Sequence, residues 1–239
     1  GNGHGHADKL ALEISGAGQK CCIEELYRPP VEWQYWNSTV SHNCVVVAEK
    51  SQPGNAEMFT TDIDSCGRLI FRRFEPRFKV ACAECLDVYE GLTKYRRTVA
   101  VADDYVVDVF EVESPEPTVF DWFLHGMDGV TVEGVSFEDS HIGNGDQGYE
   151  FLTEVKSGTP TGAVTARFGC GHTVFVPEAA GFEVFSAEGP WKKEASRPAL
   201  ILRKRGASAV FAVVHDPSGA AVSSVAIERG GDGSFSLSV

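Results

Sequence analysis

The chain opens Gly1-Asn2-Gly3-His4-Gly5-His6-Ala7-Asp8, two imidazoles one residue apart with a carboxylate two positions further on. Glu24 follows, and then Ser41-His42-Asn43. Imidazole nitrogen and carboxylate oxygen are the donors that Zn²⁺ accepts in a tetrahedral site. His6, Glu24 and His42 come from three separate segments, so the fold must bring them together. On an extended strand successive side chains face opposite ways. His6 can therefore serve a metal while His4 faces a cleft. Glycines at 1, 3 and 5 leave room for a second backbone or a ligand to approach. The competing reading treats each histidine as an ordinary surface or core residue and Glu24 as one half of an ion pair.

The elements that must position these groups read as strand after strand. Leu10, Leu12 and Ile14 alternate with Ala11 and Glu13. Further short runs rich in Val, Ile, Phe and Tyr cover 45–48, 69–74, 98–101, 105–112, 118–124, 130–132, 163–168 and 173–176. They continue at 183–187, 199–203, 209–215, 224–228 and 234–239. Ser51-Gln52-Pro53-Gly54 and Asp216-Pro217-Ser218-Gly219 break the series, and Arg229-Gly230-Gly231-Asp232-Gly233 reads as a hairpin turn. Gly143-Asn144-Gly145-Asp146-Gln147-Gly148 reads as a loop. No apolar pattern of period 3.6 is sustained and no repeat of fixed length is visible. The expectation is an all-β chain, a large antiparallel β-sandwich over residues 1–239, with less than about a tenth of its residues helical.

Composition narrows the function. A net charge of −13 argues against nucleic acid as a partner, because phosphate contact needs clustered Lys and Arg. An acidic substrate would need a local basic lining; Arg68, Arg72, Arg73, Arg77 and Lys79, or Arg203, Lys204 and Arg205, are the candidates, with solvated strand faces as the plainer alternative. No apolar run approaches the roughly 20 residues of a membrane span, and no signal peptide is visible. A chain that starts inside a ligand-like motif reads as a fragment or processed piece. The 7 cysteines form no regular framework, so Cys82-Ala83-Glu84-Cys85 reads as buried thiols and not as a zinc or redox motif. Asn37-Ser38-Thr39 fits a glycosylation sequon.

Several of these segments together resemble one family. They are His4-Gly5-His6-Ala7-Asp8-Lys9-Leu10, Gly18 before Glu24, Ser38-Thr39-Val40-Ser41-His42-Asn43-Cys44-Val45-Val46-Val47 and Lys50-Ser51-Gln52. Tyr95-Arg96-Arg97-Thr98-Val99, Asp121-Trp122-Phe123-Leu124-His125-Gly126 and Arg197-Pro198-Ala199-Leu200 extend the likeness. The pattern resembles the heparinase II/III-like polysaccharide lyases, oligoalginate lyases included. The resemblance implies an α/α-toroid followed by an antiparallel β-sandwich, of which this chain matches the sandwich. It implies a structural zinc on His6, Glu24 and His42, and a cleft-lining His4 that neutralises a uronate carboxylate or moves a proton. The family usually carries Asp at the acidic position; here Glu24-Glu25 stands there, and either can take the role. It further implies an acidic, uronate-containing polysaccharide as partner and a periplasmic or secreted location.

β-Elimination on a uronate needs a base for the proton α to the carboxylate, a group to stabilise the enolate, and an acid for the leaving oxygen. The tyrosine and histidine central to that work belong to the toroid in this family. Tyr27, Tyr35 and Tyr149 are available phenols that nothing in the sequence assigns to a cleft. Trp33 and Trp36, between Pro30 and His42, are sugar-stacking candidates, whereas Trp122 in an apolar strand reads as core. The chain is therefore expected to be the sandwich part of a lyase, inactive by itself. The alternatives are a non-catalytic carbohydrate-binding or scaffold module, and a cupin-like metal enzyme, against which the glycine-rich cupin motif is not evident.

Overall fold

Val, Ile, Phe and Tyr at alternate positions favour a pleated backbone with one apolar face, and the structure follows that rule through most of its length. It is a computed structural model that describes residues 6–22, 33–53, 67–191, 195–229 and 235–239. Strand accounts for 54% and helix for 7%. In chain order the strands of the described residues begin with β1 Ile14–Gly16, β2 Gln19–Cys22, β3 Val45–Val47, β4 Arg68–Phe74, β5 Lys79–Glu84, β6 Lys94–Val101, β7 Val106–His125 and β8 Val130–Glu133. They continue with β9 Glu138–Asp139, β10 Thr153–Gly158, β11 Val164–Phe168, β12 Thr173–Val176, β13 Glu183–Pro190, β14 Ser196–Asp216, β15 Ala226–Arg229 and β16 Phe235–Ser238. Among the described residues the α-helix is α1, Trp33–Asn37. Among the described residues no helix is long and apolar enough to cross a membrane.

The antiparallel pair β7–β14 is the spine. Its register runs from Ala199 opposite His125 to His215 opposite Val106, with one irregularity between Gly206 and Ser208. The first half of β7 pairs with β6, and its last residues pair with β3. The first half of β14 pairs with β13, and its last residues pair with β12. Both strands thus belong to two halves of one sheet, β4-β5-β6-β7-β14-β12-β11-β8 on one side and β3, β13, β10 and β9 on the other. The halves face each other: Phe110, Val112, Phe211 and Val213 share one buried cluster with Phe120, Trp122, Leu124, Leu200 and Leu202. Trp122 is fully buried there, as its apolar strand predicts.

The sequence suggests breaks near 113–117 and 204–208, and the structure turns them into bends. Ser114-Pro115-Glu116-Pro117 lies opposite the irregular Gly206–Ser208 stretch. Proline removes ladder donors and Gly206, at φ 153°, takes a backbone that a side chain resists. The strands therefore cross from one half to the other without ending.

A second buried cluster covers the outer face of the β3–β7–β14–β13 half. Val46, Phe123, Phe185 and Ile201 point into it from the strands, and Tyr35, Trp36, Val40, Tyr149, Leu152 and Trp191 close it from outside. The α1 segment is that roof. Asn37 is 9% exposed and Ser38 and Thr39 are fully buried within it, so the sequon is packed away from solvent.

Two expectations are corrected. Residues 10–13 do not extend a strand; only Ile14–Gly16 does, and Leu10 sits at φ 62° in the left-handed region. Arg203 is no part of a basic lining: it is 5% exposed and donates to both carboxylate oxygens of Asp121 at 2.7 Å each. Glu49, at φ 55° in the turn after β3, adds a second carboxylate 2.8 Å from the same guanidinium. Of the other group, the exposed Arg68, Arg73 and Arg77 pair with Glu84, Glu75 and Asp103. Cys82 and Cys85 are buried thiols, as their context predicts.

Candidate metal centre

The segment carrying His42 is built by short-range side-chain hydrogen bonds. Ser38 Oγ donates to the Tyr35 carbonyl at 2.6 Å, and Ser41 Oγ donates to the carbonyls of Ser38 and Trp36 at 3.0 and 3.3 Å. Serine hydroxyls compete with regular helix in this way. The helix stops after Asn37 and a 3₁₀ turn, Thr39–Ser41, follows it. The His42 amide closes that turn on the Thr39 carbonyl at 3.1 Å. His42 emerges 2% exposed.

The segment carrying His6 and Asp8 is a turn, closed by the Ala11 amide on the Asp8 carbonyl at 2.9 Å. It lies against the His42 segment. The Leu12 amide donates to the Asn43 carbonyl at 3.1 Å, and Asn43 Nδ2 donates to the Leu12 carbonyl at 3.0 Å. Gln52 grips Lys9 from both sides: its Oε1 accepts the Lys9 amide at 2.7 Å and its Nε2 donates to the Lys9 carbonyl at 3.2 Å.

These contacts bring His6 to His42, with ring centroids 5.3 Å apart and planes tilted by 49°. Asp8 joins them, and one ligand atom from each of the three lies within 4.8 Å of the other two. Two imidazoles and one carboxylate are a donor set that fits Zn²⁺. Asp8 was legible only as the last member of His-x-His-x-Asp; nothing in the spacing raised it above Glu24. His4, Glu24 and Glu25 lie outside the described residues. His6 lies in an irregular segment and not on a strand, so strand alternation does not govern the direction of its neighbour.

Beneath His42 sits His125, the last residue of β7. Its backbone amide donates to Asn43 Oδ1 at 2.7 Å, and the same oxygen lies 3.2 Å from Nδ1. The Tyr35 hydroxyl lies 3.2 Å from Nε2. Burial, with Arg197 and His42 nearby, holds the imidazole pKa well below its ordinary value. A neutral ring then donates from Nδ1 to Asn43 and accepts the Tyr35 hydroxyl at Nε2. Tyr35 is thereby a fully buried positioning group.

Trp36 is also part of this packing, which corrects its reading as a sugar platform. It is 5% exposed, its ring centroid is 6.0 Å from that of Trp191, and the Arg197 guanidinium lies 5.7 Å from it. No face is left for a sugar ring. Trp33 begins α1, and its side chain lies outside the described residues.

The architecture is thus a long-stranded β-sandwich that carries two imidazoles and a carboxylate where the N-terminal turn meets the His42 segment. The family model described as Heparinase II/III-like, C-terminal, matches residues 1–209, and the chain belongs to that family. The heparan sulfate lyase HepC from Pedobacter heparinus superposes with a TM-score of 0.65 at 12% identity, over 98% of this chain and 35% of its own. Two heparinase III structures give TM-scores of 0.63 and 0.60 at 13% identity, each over 98% of this chain and over 36% and 35% of theirs. The chain thus spans little more than a third of the solved structures it matches, and at such identity they show its fold. No curated protein sequence matches it.

Proposed function

We propose that this chain is the β-sandwich portion of a polysaccharide lyase that cleaves uronate-containing glycans by β-elimination, with a structural zinc at His6 and His42. The observation that carries the reading is the meeting of those two imidazoles, with Asp8 beside them, in a chain of this family. Asp8 is the carboxylate favoured here as third ligand; Glu24, or Glu25, is the one the family resemblance names. Bound there, zinc would supply a cross-link between the N-terminal turn and the His42 segment. The unfolded chain has no such preformed site, so binding adds directly to folding stability.

The chemistry of the reaction falls to other groups. His4, two residues before a metal ligand, is the cleft residue in this proposal. Its imidazole would hydrogen-bond the uronate carboxylate as enolate character develops, which lowers the barrier to loss of the α proton. The base and the acid come from a toroid domain in the longer protein, and an acidic polysaccharide is the partner. The solved relative named as a heparan sulfate lyase supports that substrate class. A periplasmic or secreted location belongs to the same proposal.

Two measurements test it. Metal analysis of the purified chain should find one zinc per molecule, lost in His42→Ala; metal-free protein whose melting temperature ignores chelators would sink the metal centre. In the longer protein, His4→Ala should suppress the ultraviolet absorbance of unsaturated uronate product, and normal turnover would remove His4 from the mechanism. The 239-residue chain alone should give no turnover.

A further inference from the structure

We infer that Arg97 is the positioning residue of the metal centre, a buried clamp that fixes the distance between the His6–Asp8 turn and the His42 segment. The inference rests on the metal reading above and goes beyond its ligands. One nitrogen of the guanidinium, Nη1, donates to two carbonyls: Leu10 at 2.7 Å, just past Asp8, and Asn43 at 2.5 Å, just past His42. A single planar group therefore bridges both ligand-bearing segments.

The clamp is itself held. Arg97 Nε and Nη2 donate to the two oxygens of Asp108 at 2.8 and 2.6 Å. Arg97 is 4% exposed and Asp108 fully buried. Trp122 Nε1 donates to Asp108 at 3.3 Å from the next part of β7. A bidentate carboxylate fixes the plane of the guanidinium, which an ammonium could not reproduce. Four donor contacts in one rigid fork leave Nη1 only one direction in which to point.

The turn needs such a hold. Leu10 is at φ 62°, a left-handed conformation that a residue with a Cβ resists. The residue on the strained peptide is the one whose carbonyl Arg97 captures. Gln52 on Lys9 and Asn43 on Leu12 flank that contact on either side. Groups that orient metal ligands without touching the metal typically change metal affinity by about 10–100-fold.

The test is zinc affinity of the full chain, by competition with a chromophoric chelator. Arg97→Lys keeps the charge and loses the fork, and should weaken zinc by about tenfold or more. Tyr149→Phe, which removes a buried hydrogen bond to Asp121 and touches neither Arg97 nor Asp108, should leave the affinity unchanged. That contrast separates positioning from general loss of stability. Asp108→Asn keeps the side-chain shape, loosens the fork and should weaken zinc in the same direction; it decides the matter if Arg97→Lys does not fold. Wild-type zinc affinity in both Arg97→Lys and Asp108→Asn would overturn the clamp. Hydrogen exchange in the metal-free chain reads the clamp independently. The Leu12 and Ala11 amides should lose protection selectively in Arg97→Lys, and unchanged protection would overturn the inference. A wild-type chain that takes up no zinc would sink the metal reading alone, with the exchange result still deciding the clamp.

Discussion

Arg197, at the start of β14, donates from Nη2 to the backbone carbonyl of Ser41 at 2.9 Å, and so the central strand of the sandwich holds the residue immediately before His42. The guanidinium is 2% exposed and lies between two indole rings, 4.6 Å from the centroid of Trp191 and 5.7 Å from that of Trp36. A cation desolvated against aromatic faces is stabilised by the ring quadrupoles as well as by its hydrogen bonds. The roof over the second core and the metal segment are thus fastened by the same side chain.

Replacing Arg197 by Met keeps much of the volume and removes the donor. Loss of a hydrogen bond to a charged group costs about 1.5–3 kcal/mol. The expected result is a lower urea midpoint with an unchanged slope. Zinc affinity should fall with it, since the carbonyl before His42 is released. An Arg197→Met chain with wild-type stability would show that the stacked indoles alone hold the roof.

The Asp121–Arg203–Tyr149 network gives a second stability prediction. The Tyr149 hydroxyl donates to Asp121 Oδ2 at 2.5 Å, and the phenol is 2% exposed. Burial, and then the Asp121 carboxylate, push its pKa well above the ordinary value, so it remains a donor at all relevant pH. Tyr149→Phe should therefore cost about 1.5–3 kcal/mol, read from urea unfolding. Because the lost contact is to Asp121 and involves neither Arg97 nor Asp108, zinc uptake should not follow the change in stability.

Much of the fold was legible because alternation of Val, Phe and Ile is a local signal, and nearly every apolar run became a strand. The long strands β7 and β14 were not legible as units, because Pro115, Pro117 and Gly206 look like terminators when they in fact bend a continuous ladder. His6 and His42 were legible as partners through the family resemblance. Their scaffold was not. Arg97, Gln52, Asn43, His125 and Arg197 sit in runs that read as ordinary strand or turn, and their convergence on residues 8–12 and 41–43 depends on pairing between segments far apart in the chain. Trp36 was misread because an aromatic in an irregular segment carries no local sign of what will cover it.

The identity of the carboxylate ligand is open to a direct comparison. Asp8 stands with His6 and His42 in one cluster of ligand atoms. Asp8→Asn keeps the shape and removes the anionic oxygen, so zinc affinity should drop by more than tenfold, about 1.4 kcal/mol or more. Glu24→Gln and Glu25→Gln should each leave it within a factor of a few. The reverse pattern, with Asp8→Asn neutral and Glu24→Gln damaging, would assign the site to the acidic position that the family resemblance names.

Acid sensitivity follows from a buried histidine on the far side of Asp108. His172 is fully buried, its ring stacked 5.5 Å from Phe168 and 5.3 Å from His215, with Nε2 3.2 Å from His215 Nδ1. Burial, and then the neighbouring His215, lower its pKa from 6.5 to about 3. The unfolded chain therefore takes up a proton, at roughly pH 6.5 and below, that the folded chain refuses. Stability from this residue is fully present above about pH 6.5 and declines as pH falls toward 3, by up to about 1.4 kcal/mol per pH unit. The nearby carboxylates act lower on the scale. Burial alone would raise Asp108, yet Arg97 holds it at about 2, and Asp216 is also held below its ordinary value by backbone amides that outweigh its burial. Their contributions fade only below about pH 4. His172→Phe keeps a stacked ring and removes the titration. It should cost about 1 kcal/mol at pH 7.5 through the lost hydrogen bond. Its unfolding free energy should also fall less steeply between pH 6 and pH 4.5, by close to one proton. Urea unfolding across that range measures the difference, and parallel pH profiles for the variant and the parent chain would rule out His172 as the source.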